Sequence, residues 1–303
     1  MITKLIRALV LASTVSVFVV AAAQAERVDK PTCTAAQLNA ATDAYVKAQK
    51  RGDILKLPLA DDAEYLENMI AIKKGDGLWN KKLPIAFTNS LHDPVRCKTF
   101  TEIVVTKGSH PYVIGTRLYM NEGKIIRIDS LVTDKGDWLF NANAYKKYAS
   151  AQDWNVLPEN ERIPAQDLIN KANAYLDRFS DKFTDAPFDG RPCTRLEGGA
   201  YTNADNKPDA EATCEVGIPK GVLYIVNRDY LVDPEKGVIN VFCRFGNSTS
   251  GMPDSHTFRM VGGKYRYIHT LSVNLTDTPS PQADDDGRIV RTAPPANPPP
   301  AAQ

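Results

Sequence analysis

The chain has 303 residues, 43% of them hydrophobic and 24% charged, with 37 Lys and Arg against 36 Asp and Glu and a formal net charge of +1. That composition supplies enough apolar material for one large core or two medium ones. The near-neutral balance argues against nucleic acid as a partner, because that affinity comes mainly from neutralised phosphates and needs a basic excess.

In chain order, the first element is an export signal. Lys4 and Arg7 precede an uncharged apolar run from Ala8 to Ala23, and Ala23-Gln24-Ala25 offers an A-x-A cleavage site, so residues 1–25 read as a removable signal peptide. Cleavage takes two of the 37 basic residues and no acidic one, leaving 35 against 36. No other segment approaches the roughly 20 apolar residues needed to span a bilayer, so no membrane association is expected after cleavage. Thr34 then heads a helical pattern with Ala35, Leu38, Ala41 and Tyr45 along one face, ending at Gly52. A strand, Gly turn and second strand follow between Leu118 and Ile128. Residues 150–162 are polar, carry Pro158 and read as a link. A second helical pattern after Pro164 shows Leu168, Ile169, Ala172, Tyr175, Leu176 and Phe179, and a second hairpin runs from Phe258 to Ile268. The last stretch, 278–303, holds Pro294-Pro295, Pro298-Pro299-Pro300 and the acidic run Asp284-Asp285-Asp286, which predicts a disordered Pro-rich tail.

Between these ends the chain repeats itself. Ala44-Tyr45-Val46-Lys47 recurs as Ala174-Tyr175-Leu176-Asp177, and Tyr65-Leu66-Glu67-Asn68 as Arg195-Leu196-Glu197-Gly198. The two hairpins match as well, Gly123-Lys124-Ile125 with Gly263-Lys264-Tyr265. Two domains are expected, 33–149 and 163–277. Five cysteines in an exported chain predict disulfides with one left over. If each half folds by itself, Cys33 pairs with Cys97 by elimination; in the second half Cys193 with Cys214 is favoured, leaving Cys243 as a buried spare thiol in a strand. No C-x-x-C or Cys/His cluster is present, so no metal is expected.

The strings RGDILKLPLADDAEYLEN, GDGLW and EGKIIRIDSLV resemble the SnoaL-like, nuclear transport factor 2-like superfamily. The second half, with ANAYLDRF, PFDGRPCTRLEGGAYT, RDYLVDPEKGVINVF and GGKYRYIHTLSV, resembles a domain of unknown function found in secreted fungal and bacterial proteins. The resemblance implies an α+β fold: two tandem cone-shaped domains, each a curved antiparallel sheet wrapped around N-terminal helices and enclosing a pocket. It says little about function, since the superfamily includes isomerases, dehydratases, cyclases, hydrolases and non-catalytic binders. Members of the second type tend to read Glu-Asn-Gly where this chain has Glu197-Gly198-Gly199, which removes a side-chain amide.

Chemistry in such pockets is proton transfer, and strand parity names the groups. Tyr65 and Glu67 share one face, as do Arg195 and Glu197. A carboxylate on an apolar concave wall is held protonated to higher pH by desolvation, as a general base or acid near neutrality requires. Glu67 is the first candidate, with Tyr65 to hold a substrate oxygen and Trp79 as a flat apolar wall; the alternative places Glu67 and Tyr65 in a structural corner. In the second half, Arg195 and Glu197 with Arg228, His256 and His269 form a candidate pocket, against the alternative of a plain salt bridge. His269 aligns with Asp129 in the repeat and is the candidate catalytic histidine. The expected function is a secreted or periplasmic, cofactor-independent lyase or isomerase acting on a small polar organic or sugar-derived molecule. The competing expectations are a small-ligand binder without chemistry and a homodimer built through open sheet faces.

Overall fold

The structure, a computed structural model, describes residues 32–188, 192–208, 212–214, 221–246, 250–276 and 280–290, so the expected signal peptide lies outside the described residues. Thr34 starts helix α1 (Ala35–Arg51): its hydroxyl accepts from the Gln37 amide while the Gln37 side chain accepts from the Thr34 amide, and Gly52 closes the helix at φ 66°. Leu38, Ala41 and Tyr45 are buried against the first sheet, while Ala35 stays exposed in the first turn.

Six strands follow, β1 (Leu59–Glu67), β2 (Ile70–Ala71), β3 (Phe87–Asp93), β4 (Lys98–Val105), β5 (Tyr112–Asn121) and β6 (Lys124–Thr133), in the spatial order β2-β1-β6-β5-β4-β3. Helices α2 (Ala142–Ala149) and α3 (Ala165–Asp177) precede β7 (Thr194–Glu197), β8 (Ala200–Tyr201), β9 (Ile225–Asp233), β10 (Val238–Phe245), β11 (Met252–Val261) and β12 (Lys264–Ser272), ordered β8-β7-β12-β11-β10-β9. The second order is the first one repeated, and the registers agree position by position. Tyr65 stands opposite Ile128 as Arg195 stands opposite Ile268, and Thr101 opposite Thr116 as Val241 opposite His256. Both hairpins turn on two residues of positive φ, Glu122-Gly123 and Gly262-Gly263, the geometry that matches strand twist. The fold is therefore α+β, two tandem cones.

Two features differ from the expected cone. Each sheet is mixed rather than wholly antiparallel, because β1 pairs parallel with β6 and β7 parallel with β12. The four-strand meander is antiparallel by its short connections; the strand beside it arrives from the helix by no hairpin, so its direction is free. Each cone also wraps a single N-terminal α-helix, α1 or α3, rather than several. The two disulfides Cys33–Cys97 and Cys193–Cys214 are present, and Cys243 is free and buried.

The sheets pack against each other. On β4 and β5, Ile103, Val105, Ile114 and Leu118 face α1, whereas Phe100, Val104, Val113 and Arg117 face the other half. Leu91, Phe100 and Leu131 meet Leu231, Val238 and Phe242 in a shared core. Asp93 accepts from the Val232 amide and Asp233 from the His92 amide, a reciprocal exchange between equivalent strand ends. The face that either sheet would offer to a second copy is thus covered by the other half of the same chain, and a homodimer would need a different surface.

Residues 150–162, expected as a polar link, are packed: Trp154 and Leu157 are buried and the Gln152 carboxamide reaches His269. Part of the expected disordered tail is also placed. Residues 280–290 form a short hairpin, β13 (Gln282–Ala283) and β14 (Ile289–Val290), held on α2 by Asn141 to the Ala283 carbonyl and by a Lys147–Asp286 ion pair. The acidic run finds cationic and amide partners on α2, which composition alone does not reveal. Residues 291–303 lie outside the described residues.

Candidate functional site

The candidate carboxylates Glu67 and Glu197 each line a cavity. The first, about 470 Å³, is lined by Glu67, Asn68, Asp76, His110, Tyr112, Asp134, Asp137 and neighbours. The parity argument holds there: the Tyr65 hydroxyl donates to Glu67 Oε2 at 2.7 Å, and the Leu78 amide donates to the same oxygen at 2.7 Å. Burial, reinforced by Glu67, keeps the Tyr65 phenol well above its ordinary range, so it stays a donor. Trp79 is not the expected ligand wall. It stacks flat on Tyr65 at 4.0 Å, is 2% exposed, and ties its indole N–H to the Lys74 carbonyl. Glu67, Tyr65 and Trp79 thus brace a corner at the edge of the cavity. Deeper in the cone the floor is largely apolar, with Ile103, Ile114 and Val132, and the Tyr45 hydroxyl is engaged by Thr116.

The second cavity is smaller, about 110 Å³, and its lining combines Trp138, Phe179, Phe245 and Met252 with Arg195, Glu197, Asp254, His256, Thr270 and Ser272. Arg195 Nη2 lies 2.9 Å from Glu197 Oε2, Arg195 Nη1 donates to the Tyr175 hydroxyl, and the Trp138 indole donates to Glu197 Oε1 at 2.7 Å. Burial pulls the Arg195 guanidinium down, but Glu197 and Tyr175 outweigh it and hold the group charged. The floor is polar where the first cone's is apolar. Cys243, Asp254, His256 and Ser272 replace Ile103, Ile114, Thr116 and Val132 at equivalent register positions. The Ser272 hydroxyl donates to Asp254 Oδ2 at 2.6 Å, and His256 Nδ1 lies 2.6 Å from Asp254 Oδ1 without hydrogen-bonding alignment.

Unanswered polar atoms separate the two cavities. Among the described residues, eleven buried side-chain N or O atoms have no hydrogen-bond partner. Three belong to residues lining the second cavity, Arg195 Nε, His256 Nδ1 and Thr270 Oγ1, and none to residues lining the first. Such atoms each cost about 1–3 kcal/mol unless water or a ligand answers them.

Of the predicted second-half residues, Arg195, Glu197 and His256 come together and two do not. Arg228 bolts β9 to α3 through Asp177 and Asn173, outside the cavity. His269 sits in the packed seam between the halves rather than at a pocket mouth. Its Nδ1 is 3.1 Å from both Glu102 carboxylate oxygens and from the Tyr145 hydroxyl, and its Nε2 is 2.6 Å from Gln152 Oε1. Its strand parity sends it to the face opposite His256. Asp254, Ser272, Cys243 and Trp138 were not foreseen as a group. The available signal was the Asp-x-His spacing on one strand, which places Asp254 and His256 on a single face.

The lost amide at Gly198 also has a physical cause. Asn68 and Gly198 are equivalent, with φ of 54° and 62°, and both amides donate to the adjacent strand, to Ser130 and Thr270. At Asn68 the side chain caps the Val132 amide. At Gly198 a Cβ would come within 2.2 Å of the Trp138 carbonyl, so the segment that delivers Trp138 to Glu197 needs glycine there.

The family described as Domain of unknown function (DUF8021) matches residues 161–272, the half with the polar floor. An NTF-2 like protein of unknown function from Burkholderia xenovorans LB400 is similar in structure, at 17% identity and a TM-score of 0.25, covering 37% of this chain and 91% of that one. A presumed ketosteroid isomerase from Kribbella flavida DSM 17836 is similar at 16% identity and a TM-score of 0.26, covering 43% of this chain and 93% of that one. Among curated proteins no match is found. No helix among the described residues is long and apolar enough to cross a membrane.

Proposed function

We propose that the second cone is the working half of an exported tandem protein of the SnoaL-like, nuclear transport factor 2-like type, and that it takes a small polar organic molecule for proton transfer of the lyase or isomerase class. The observation that supports this is the gathering of Arg195 Nε, His256 Nδ1 and Thr270 Oγ1, buried without an aligned hydrogen bond, round one cavity that Phe179, Phe245 and Met252 also line. The arrangement suits a ligand with an oxygen for Arg195 and a short carbon skeleton against Phe179 and Met252. At about 110 Å³ the cavity lies well below the roughly 300–1,000 Å³ of drug-sized pockets, so the ligand is small. In this reading Arg195 polarises a carbonyl or carboxylate oxygen, which acidifies the neighbouring C–H, and Glu197 takes that proton and returns it at another position. The two disulfides are compatible with a secreted or periplasmic setting.

A second reading, binding without chemistry, has its own support: both Glu197 oxygens are already engaged, by Arg195 and Trp138. One experiment separates them. Small hydroxy- and oxo-carboxylates are titrated calorimetrically, and their C–H exchange in D2O is followed by NMR. Arg195→Met is expected to weaken binding about 10- to 100-fold, the worth of a hydrogen bond to a charged group. Glu197→Gln is expected to keep binding and lose exchange, with Glu67→Gln changing neither. Binding without exchange in the wild type selects the binder. Undiminished binding by Arg195→Met refutes the site.

A further inference from the structure

We infer that the floor of the second cone is a site for one divalent transition-metal ion of the zinc type, held by Cys243, Asp254 and His256. The inference deepens the reading of that cone as the working half. Cys243 on β10 stands directly opposite Asp254 on β11, and His256 follows two residues on, on the same face. Their ligand atoms, one sulfur, one oxygen and one nitrogen, all lie within 4.8 Å of one another, and all three residues are buried.

The Cys243–Asp254 separation already suits an ion, and the whole set lies within 4.8 Å. Bond lengths of about 2.3 Å to sulfur and 2.0–2.1 Å to nitrogen and oxygen put tetrahedral ligand atoms about 3.3–3.5 Å apart. Cys243 Sγ is 3.7 Å from Asp254 Oδ1, so that pair needs almost no change. His256 Nδ1, at 2.6 Å from the same oxygen, has to draw back by less than about 1 Å. It is also the buried nitrogen with no aligned hydrogen-bond partner, which is the independent sign of a missing ligand. Ser272 holds the other Asp254 oxygen at 2.6 Å, the kind of outer contact that orients a ligating carboxylate.

The chemistry of the set selects the ion. A thiolate, an imidazole and a carboxylate favour borderline-soft zinc-type ions over magnesium or calcium. One thiolate and one carboxylate neutralise a dication, so the buried complex carries no net charge. The ligand is the thiolate, so binding exchanges the Cys243 thiol proton for the ion and releases it to solvent. The first cone is an internal control, because Ile103 and Ile114 stand at the positions of Cys243 and Asp254 and offer no ligand. Asp254 and His256 line the cavity, so an ion there has a position for a ligand oxygen close to Glu197.

The test is titration of the chelator-treated full chain with Co²⁺, followed by displacement with Zn²⁺. One ion per chain is expected, with visible bands of tetrahedral cobalt, a thiolate-to-cobalt band in the near ultraviolet and one proton released. Cys243→Ser should lose the thiolate band and weaken binding about 100-fold, and Ser272→Ala should keep the band and weaken binding about 10-fold. Near-ultraviolet circular dichroism checks the fold of both, and His256→Gln replaces Cys243→Ser if that variant does not fold. Absence of the thiolate band in the wild type, or unchanged stoichiometry and affinity in the ligand variant, overturns the site. Failure of cobalt binding while Arg195→Met still weakens carboxylate binding removes the metal alone. Cobalt binding as described, with Arg195→Met binding carboxylates normally, removes the proton-transfer reading alone.

Discussion

Replacing Arg117 by Met tests the seam that joins the two cones. The Arg117 guanidinium is fully buried and bonds across the seam to the Asn240 carboxamide and carbonyl and to the Asp229 carboxylate and carbonyl, at 2.6–3.0 Å, while stacking 4.2 Å over Phe242. Met keeps the packing and removes every donor. Two buried Asn240 acceptors are then left unpaired, at about 1–3 kcal/mol each. Asp229 loses less, since Lys98 and Tyr119 remain and its side chain is 44% exposed. Burial raises that carboxyl, but Arg117, Lys98 and Tyr119 outweigh it and hold it at about 2. After solvent screening, the Arg117 share of this is at most about 1 kcal/mol. The expected total is about 3–5 kcal/mol, close to what breaking a buried ion pair costs elsewhere, and a Tm lower by about 10 °C. Because the Asp229 pKa is depressed below about 3.9, its contribution is present above pH 4 and is lost as pH falls toward 2; the variant should show a shallower acid limb. Urea unfolding is followed by tryptophan fluorescence and far-ultraviolet circular dichroism together. A single coincident transition is expected in both proteins, with partial recovery in Arg117→Met/Asn240→Leu, where both partners are gone. A loss under about 1 kcal/mol, or separate melting of the two halves, would refute the interlocked seam.

Gly198→Asn should cost about 2–3 kcal/mol by overpacking against the Trp138 carbonyl, read as a lowered urea midpoint; a neutral result means the 137–139 segment moves freely. Removing Cys33–Cys97, which spans 64 residues, should cost about 4 kcal/mol, against about 3 for the 21-residue Cys193–Cys214 loop. Equal or reversed losses in the paired Cys→Ser variants would contradict the loop-entropy account. Burial raises Asp137 to about 6, against backbone hydrogen bonds from Asp134 and Asn274 that lower it. A raised carboxyl penalises the folded state above its pKa, so stability should rise as pH falls from 7 through 6 toward 4. Asp137→Asn should flatten that limb, and an unchanged slope would assign it to other groups.

What was legible followed local rules. Thr34 and Gly52 bounded α1, the Gly turns marked both hairpins, and the period of two put Tyr65 with Glu67 and Arg195 with Glu197. The repeat carried the division into two like halves. What was not legible depended on partners far away in sequence. Helix α2 has Ala142, Ala144, Tyr145 and Ala149 as its buried side, a weak pattern that becomes an interior face only because both sheets close on it. Nothing near His269 announces Glu102, which sits 167 residues earlier and takes the imidazole into the seam. Cys243 looked like filler because its neighbours Asp254 and His256 lie on the next strand, and only the register aligns them.

The back-to-back arrangement of equivalent sheets has a consequence for how the protein varies. In a symmetric pair of identical subunits every substitution appears twice, once on each side of the axis, so a polar floor gained by one pocket is gained by both. Here the two sides are separate stretches of one chain. Ile114 and Asp254 occupy the same place in their sheets and can change independently, one presenting an apolar side chain and the other a carboxylate. The covalent link also sets a high effective concentration for the partner half, so dilution cannot part them, and each cone keeps its neighbour at any concentration.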